Sequence, residues 1–377
     1  MTGWGSVSWQ RLRGHRPVLW IAAAVIAVLL IGGAVFAVTA GGDDPKPPVA
    51  VGATPSEPAP TEAAPAPSPT VQPGADIRGP LDLLLVGVDT RVTIPGWEPH
   101  ADAVLILHVN AGLDSGYLFS LPRDLVVDIP RFPKSGYGGG RTKLTHAMSY
   151  GSKRGKGKPS AAQGFQLLSQ TVSRYTGIKK FQAGAILNFG GFQKLVDEIG
   201  GIDLYVDQKV VSKHRQPNGK ARPFSGGEYV GPAATYNPGK RHLVGWQAID
   251  YARQRYTAGG DYARQRHQQQ LIKAILTKAL STGLPTDASA LNRVLKALGR
   301  SVDVIAGERT PIEYGFALRG LAPQNLTLVS LPGSGVGSGS GYRGEQLTSV
   351  GRGFITQLRA GKAAAYLKAH PTLVVKR

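Results

Sequence analysis

The 377-residue chain contains no cysteine. That single absence excludes disulfide staples, thiolate-ligated zinc and thiol nucleophiles together. Acidic side chains are scarce, 24 against 44 lysines and arginines, for a formal net charge of +20. Such an excess favours a polyanionic partner, whether nucleic acid, anionic lipid or an acidic wall polymer, against the blander reading of a generally basic surface. The sequence has no Walker loop, no dinucleotide glycine fingerprint and no Gly-x-Ser-x-Gly elbow, so the common nucleotide-binding and serine-hydrolase sites are excluded. Zinc-finger, basic-zipper and recognition-helix patterns are also missing, which argues against nucleic acid as the partner.

Long apolar runs are absent too, with one exception. Val18 to Ala40 is a 23-residue stretch broken only by Thr39. At ~1.5 Å per residue it reaches ~34 Å as a helix, enough for a ~30 Å hydrocarbon core. Arg11, Arg13 and Arg16 precede it and Asp43 and Asp44 follow. The positive-inside rule therefore places residues 1–17 in the cytoplasm, the span at 18–40 and the remainder outside the membrane. Residues 41–77 are rich in proline, alanine and threonine with few large apolar side chains. They read as an extended stalk.

Beyond the stalk, Leu81 to Val88 and Ala103 to Val109 are nearly continuous apolar runs, the mark of strands buried on both faces. Helical stripes occur over Ser160 to Tyr175 and Phe189 to Ile199, the latter stopped by Gly200-Gly201 before a strand at Ile202 to Val206. A long helix capped by Asp261 runs to about Leu280, and another is expected over Asp287 to Leu298. This mixture predicts an α/β layered domain over 78–335, followed at 336–377 by a Gly/Ser loop and a C-terminal extension.

Three segments carry candidate chemistry. Asp89 ends the first buried strand and Asp102 opens the next. Two acids at one sheet edge suit a hard divalent cation completed by water and phosphate oxygens, and the alternative is that they only cap a turn and a strand. In Ser120-Leu-Pro-Arg-Asp124 the proline fixes the backbone behind Arg123, whose planar fork matches phosphate, although a surface ion pair would look the same. The third is the pair of segments Tyr251-Ala-Arg-Gln-Arg255 and Asp261-Tyr-Ala-Arg-Gln-Arg-His-Gln268, joined by a loop containing Gly259 and Gly260. On an extended segment Arg253 and Arg255 share a side. On a helix Arg264 and Gln268 share a face. The alternation followed by this spacing favours a built polyanion pocket over a basic helix lying on anionic lipid.

LLLVGVDTR, HADAVLILHV, FSLPRD, KLTHAMSYG, GGIDLYVD, YARQRY and DYARQRHQQQLIKAI occur in an order that resembles the LytR-CpsA-Psr family. The resemblance implies an α/β/α sandwich with a mixed central β-sheet, preceded by one transmembrane helix, and an apolar channel for a polyprenyl chain. It further implies transfer of a phosphate-linked glycopolymer from a polyprenyl diphosphate-linked glycan donor to a peptidoglycan acceptor, with residual pyrophosphatase activity. By motif, Asp89 and Asp102 match magnesium-binding acids. Arg123, Lys143, Arg253, Arg255, Arg264 and Gln268 match residues around the diphosphate, with Arg91 and Arg266 as further substrate contacts. The chain departs from the pattern after Lys143, where the usual Asn-Ala-Ala is replaced. It also carries a long basic stretch, Gln208 to Arg241, that reads as an insertion over the cleft. A non-catalytic wall- or lipid-binding protein and a membrane-tethered regulator are the competing functional classes.

Overall fold

The computed structural model describes residues 74–89, 96–281, 302–305 and 307–375. The apolar span at 18–40, the stalk to residue 73, Arg91 and the helix expected over Asp287 to Leu298 lie outside the described residues. Among the described residues, no helix is long and apolar enough to cross a membrane.

The centre is a six-stranded sheet. Its strands are β1 (Leu81–Asp89), β2 (His100–Val109), β3 (Gly116–Leu121), β6 (Ala183–Asn188), β13 (Val302–Ile305) and β14 (Leu326–Val329), in spatial order β13-β6-β1-β2-β3-β14. β1 runs parallel to β6 and β14 parallel to β3, while the other three pairings are antiparallel. The sheet is mixed, as the family resemblance implies.

Strand periodicity explains the layers. Leu81, Leu83 and Leu85 of β1 enter one apolar core while Leu84, Val86 and Val88 enter another, because successive side chains point to opposite faces. The second core is closed by α1 (Thr145–Ser152), α2 (Ala161–Thr176) and α7 (Ser349–Arg359), through Met148, Leu168 and Phe354. The first core is closed by α3 (Phe189–Glu198), α4 (Gly245–Arg253) and α5 (Gly260–Ser281), through Val196, Ile249 and Ile275. Two helical layers over one mixed sheet make the α/β/α sandwich. Between α3 and α4, β7 (Ile202–Val206) pairs with β12 (Gly239–Leu243).

Two expectations change. Residues 336–377 do not begin with a free loop. Gly333–Val336 pairs with Gly344–Leu347 as a hairpin, and α7 follows with Phe354 fully buried, so this region to residue 375 belongs to the same body as the sheet. Glycine and serine obscured the hairpin because they carry almost no hydrophobic pattern. The second change concerns Arg253, which ends helix α4 rather than lying on an extended segment. Ala248, Ile249 and Ala252 give that segment a buried helical stripe, and packing overrides the alternation.

The stretch from Gln208 to Arg241 is held by one carboxylate. Asp250, 5% exposed on α4, accepts from Ser212 Oγ at 2.9 Å, Tyr236 Oη at 2.8 Å and Gln254 Nε2 at 2.9 Å. Both ends of the insertion are thereby tied to the helix that carries Arg253.

Candidate functional site

The site forms where α5 crosses the C-terminal end of β1. The second half of α5 is apolar: Leu271, Ile272, Ile275 and Leu276 face β1 and β2 across a cavity of about 740 Å³, its open mouth included. The sheet side of that cavity is low because Gly87 and Ala103 oppose each other in the β1–β2 register. A Cβ at Gly87 would lie 3.0 Å from the Ala103 Cβ. Small residues here keep the space open. The only charged or amide side chains in the lining are Arg253 and Gln268, so the apolar cavity ends against a polar boundary.

The first half of α5 supplies that boundary. Arg264, Gln265, His267, Gln268, Gln269 and Gln270 are all buried, an unusual density of polar side chains for a helix interior. Several have structural partners. Gln269 Nε2 donates to Ser120 Oγ at 3.0 Å and to the Val329 carbonyl at 3.1 Å, locking α5 onto β3 and β14. His267 Nε2 lies 3.1 Å from Asp207 Oδ1, and the same carboxylate accepts from Arg266 Nε.

Arg264 faces the other way. Its Nη2 is 2.8 Å from Asp261 Oδ1, with the guanidinium 6% exposed. Among the described residues, buried Arg123 Nε, Arg264 Nε and Gln268 Oε1 have no hydrogen-bond partner in the protein. An unpaired buried donor or acceptor costs about 1–3 kcal/mol unless something binds it. The two guanidinium nitrogens call for an acceptor such as a phosphoryl oxygen, and Gln268 Oε1 for a donor.

Asp102 and Arg123 form the opposite wall. The β1–β2 register shifts between Gly87 and Val88, so that Gly87 pairs with Ala103 and Val88 with Ala101. Asp102 is the extra residue of this bulge, a device that re-aims a side chain. Its Oδ1 accepts from Arg123 Nη1 at 2.5 Å. Burial by itself lowers the pKa of Arg123, but the charge and hydrogen bond of Asp102, with Asp124 and Asp261 beyond, outweigh it and hold the guanidinium above its ordinary value. That Asp261 acts on Arg123 brings the start of α5 and the Pro122 turn into one cluster.

Lys143 extends the cluster: its Nζ is 3.5 Å from Asp124 Oδ1 and 5.0 Å from the Tyr342 ring centre. Tyr342 belongs to the C-terminal hairpin, whose Glu345 accepts from Tyr262 Oη at 2.9 Å and whose backbone nitrogen donates to the Asp124 carbonyl at 2.8 Å. Gly333 permits the approach, since a Cβ there would sit 2.1 Å from Tyr262 Oη.

The predicted residues therefore divide. Arg253 and Gln268 line the cavity, while Asp102, Arg123, Lys143 and Arg264 belong to a cluster of ion pairs built on Asp124 and Asp261. Arg255 is exposed, with its guanidinium 5.8 Å from the Tyr256 ring centre. Arg266 turns to Asp207 instead of the cluster, because two residues along a helix rotate it about 200° from Arg264. Asp261 lies inside the first turn of α5 and pairs with Arg264 and Gln265 rather than capping the helix.

The donor set also bears on magnesium. Asp89, at the end of β1, is paired in register with His100, two residues from Asp102. Among the described residues no group of three or more His, Cys, Asp or Glu side chains converges as a cation cage. Magnesium does not need one: it binds through one or two carboxylates with water and phosphate oxygens filling the octahedron. Asp89 and Asp102 fit that requirement in residue type and strand position.

Sequence reasoning missed Asp207, Asp250 and the Tyr262–Glu345 contact, and gave Asp261 a capping role in place of its pairing with Arg264. Each depends on a pairing between distant parts of the chain that no local spacing announces.

Known proteins resemble the chain in sequence and in fold. The chain is 29% identical to the polyisoprenyl-teichoic acid–peptidoglycan teichoic acid transferase TagU of Oceanobacillus iheyensis, over 59% of this chain and 58% of that protein. It is 25% identical to the cell wall biosynthesis protein LcpA of Corynebacterium glutamicum, over 74% of this chain and 55% of that one. The matches thus span little more than half the length of these relatives. Among solved structures, protein gbs0355 from Streptococcus agalactiae aligns with a TM-score of 0.55 at 21% identity, over 75% of this chain and 87% of that one. TagT bound to LI-WTA aligns with a TM-score of 0.53 at 20% identity, over 75% and 90%. Those two likenesses are of fold. The LytR_cpsA_psr family model matches residues 54–350, and the chain belongs to the LytR_cpsA_psr family.

Proposed function

We propose that this protein is a membrane-anchored enzyme that works outside the cell membrane. It transfers a phosphate-linked glycopolymer from a polyprenyl diphosphate carrier to a sugar hydroxyl of peptidoglycan. The observation that carries this reading is the junction of an apolar cavity with a cluster of guanidinium groups, Arg264 buried and Arg123 and Arg253 half-buried, near one end of α5. A ligand that satisfies both halves has a long hydrocarbon tail and a compact polyanionic head. Polyprenyl diphosphate has that form. The name of the TagU relative and the fold neighbour captured with LI-WTA point the same way.

The residues take distinct parts. The cavity lined by Leu271, Ile275, Leu187 and Phe192 receives the prenyl chain. Arg253 and Gln268 sit at its polar end, where chain gives way to phosphate. Arg123 and Arg264, each already oriented by a carboxylate, donate to phosphoryl oxygens as charge builds on the leaving lipid phosphate. Donors fixed in advance need no reorganisation in the transition state, which is where such a site lowers the barrier. Magnesium, when held by Asp89 and Asp102, supplies further charge neutralisation at the diphosphate. With water in place of the sugar hydroxyl, the same site gives pyrophosphatase activity.

Arg264→Ala tests the assignment. Removing one anion-stabilising donor typically costs ~2.7–4 kcal/mol, or ~10²–10³ in rate. Release of lipid monophosphate from a prenyl diphosphate glycan should fall by that factor, with the thermal midpoint within a few degrees of wild type. Wild-type turnover by the variant would remove Arg264 from the phosphate site.

A further inference from the structure

The proposed reaction needs a place for the acceptor sugar and a group to receive its hydroxyl proton, and neither the cavity nor the arginines supplies them. A second cluster, within electrostatic reach of Lys143 and Asp124, has the required chemistry. Five rings run in series. Trp97 is 5.8 Å from His100, His100 is 6.2 Å edge-on from His146, His146 is 5.5 Å from Tyr150, and Tyr150 stacks on Tyr137 at 4.7 Å. All five are partly exposed, with Tyr137 and Tyr150 also packed against the second core, so the row presents ring surface on a fixed base.

The row is continuous with the reacting centre. His100 is the register partner of Asp89, and its Nδ1 lies 2.9 Å from the Glu98 carbonyl. His146 sits on α1, three residues after Lys143. Its Nδ1 is 3.0 Å from Thr142 Oγ1 on β5 (Gly140–Lys143). In the tautomer where Nδ1–H donates to Thr142, Nε2 carries the free lone pair. The charged and titratable groups facing it are His100 from β2, Lys143 from β5, Asp124 from the turn after β3, and Tyr150 from its own helix. Glu98 and Lys153, 3.4 Å apart, form the rim.

We infer that Trp97, His100, His146 and Tyr150 form the subsite for a pyranose acceptor, and that His146 Nε2 accepts the proton of the attacking hydroxyl. This rests on the transferase reading above. Aromatic faces suit the C–H face of a pyranose ring, while ring edges and nearby polar groups meet its hydroxyls. The step balances as follows. The acceptor O–H bond breaks, its oxygen bonds to the glycan-bearing phosphorus, and the bridging P–O bond to the lipid phosphate breaks. The electron pair leaves with the lipid phosphate, and the proton moves to His146 Nε2 and then to water. Burial, then the charges of His100 and Lys143, lower the His146 pKa, with Asp124 opposing. The imidazole is therefore neutral and able to accept a proton near pH 7.

The test uses the full chain in detergent with magnesium, a synthetic prenyl diphosphate disaccharide as donor and a soluble peptidoglycan tetrasaccharide as acceptor. Transfer and hydrolysis are measured together by mass spectrometry, and folding of each variant is checked by thermal melting. Trp97→Ala and Tyr150→Leu should each lower the ratio of transfer to hydrolysis at least tenfold, through a raised acceptor KM. His146→Gln should lower kcat for transfer about a hundredfold and abolish the acidic limb of the wild-type pH profile. Unchanged ratios in both aromatic variants would overturn the subsite, and a retained acidic limb in His146→Gln would overturn the proton-acceptor role. A wild-type protein that turned over no donor at all would instead defeat the transferase reading beneath them.

Discussion

Filling the cavity from the sheet side gives a quantitative test of what it holds. Ala103 lines the cavity on β2 opposite Gly87, and a larger side chain there projects into space rather than into packed atoms. Ala103→Phe adds six carbons, enough to displace roughly one five-carbon isoprene unit from the lining. Burial of a methylene contributes about 0.8 kcal/mol, so the gross loss of lipid burial is about 4 kcal/mol. Much of that gross figure is offset in real binding by the cost of ordering the ligand. A net loss of about 1.5–2.5 kcal/mol follows, or a Kd raised ~10- to 70-fold. Calorimetry with prenyl diphosphates of increasing chain length reads the effect directly. The loss should grow with chain length and then level off, and the thermal midpoint of the apo variant should stay level or rise. Equal affinity of variant and wild type for the long-chain ligand would refute the assignment of this cavity to the lipid.

Other consequences are simpler to state. Asp207 is held at a pKa of about 2. Burial alone would raise it, but hydrogen bonds and charge from His267 and Arg266 win. A depressed carboxylate stabilises the fold above its ordinary value near 3.8 and loses that contribution as pH falls toward 2. With solvent screening the contribution is about 1–2 kcal/mol. Urea midpoints measured from pH 5 down to pH 2 should fall less steeply in Asp207→Asn than in wild type. Asp250→Ala leaves two buried donors, Ser212 Oγ and Tyr236 Oη, without their acceptor and removes one of several from Gln254 Nε2. It should cost on the order of 3 kcal/mol and sensitise the 208–241 segment to protease, as followed by denaturant titration and limited digestion. Tyr262→Phe removes the hydroxyl that reaches Glu345. Proteolysis at the 333–347 hairpin should then quicken severalfold, and an unchanged digestion rate would show that this contact does not hold it.

The amount readable in advance followed the range of the interactions. The strands at 81–88 and 103–109 and the stop at Gly200-Gly201 before Ile202 were legible because buried-strand composition and helix termination are local signals. Asp102, Arg123, Arg264 and Gln268 were legible as candidates because polar groups stand where a buried strand or an apolar helix would otherwise continue. Their mutual geometry was not. The bulge that turns Asp102 toward Arg123 is a mismatch between two strands, and the carboxylate that takes Arg266 away from the cluster lies 59 positions earlier in the chain. The hairpin at 333–347 was hidden for a different reason: its strands are glycine, serine and polar residues, so partners and not burial define it. Gly87 and Ala103 hold the cavity open by what they lack, and nothing in a sequence marks a small residue as a wall until the register is known.

The central claim is phosphoryl transfer at the junction of cavity and arginines, and one measurement addresses it most directly. The full chain is incubated with magnesium, a prenyl diphosphate glycan and peptidoglycan, and the products are examined by ³¹P NMR and mass spectrometry. A phosphodiester between glycan and peptidoglycan should appear together with an equal amount of prenyl monophosphate, and both should form ~10²–10³-fold more slowly in Arg264→Ala. Lipid bound tightly for hours with neither product formed would mean that the site carries the lipid without performing the chemistry.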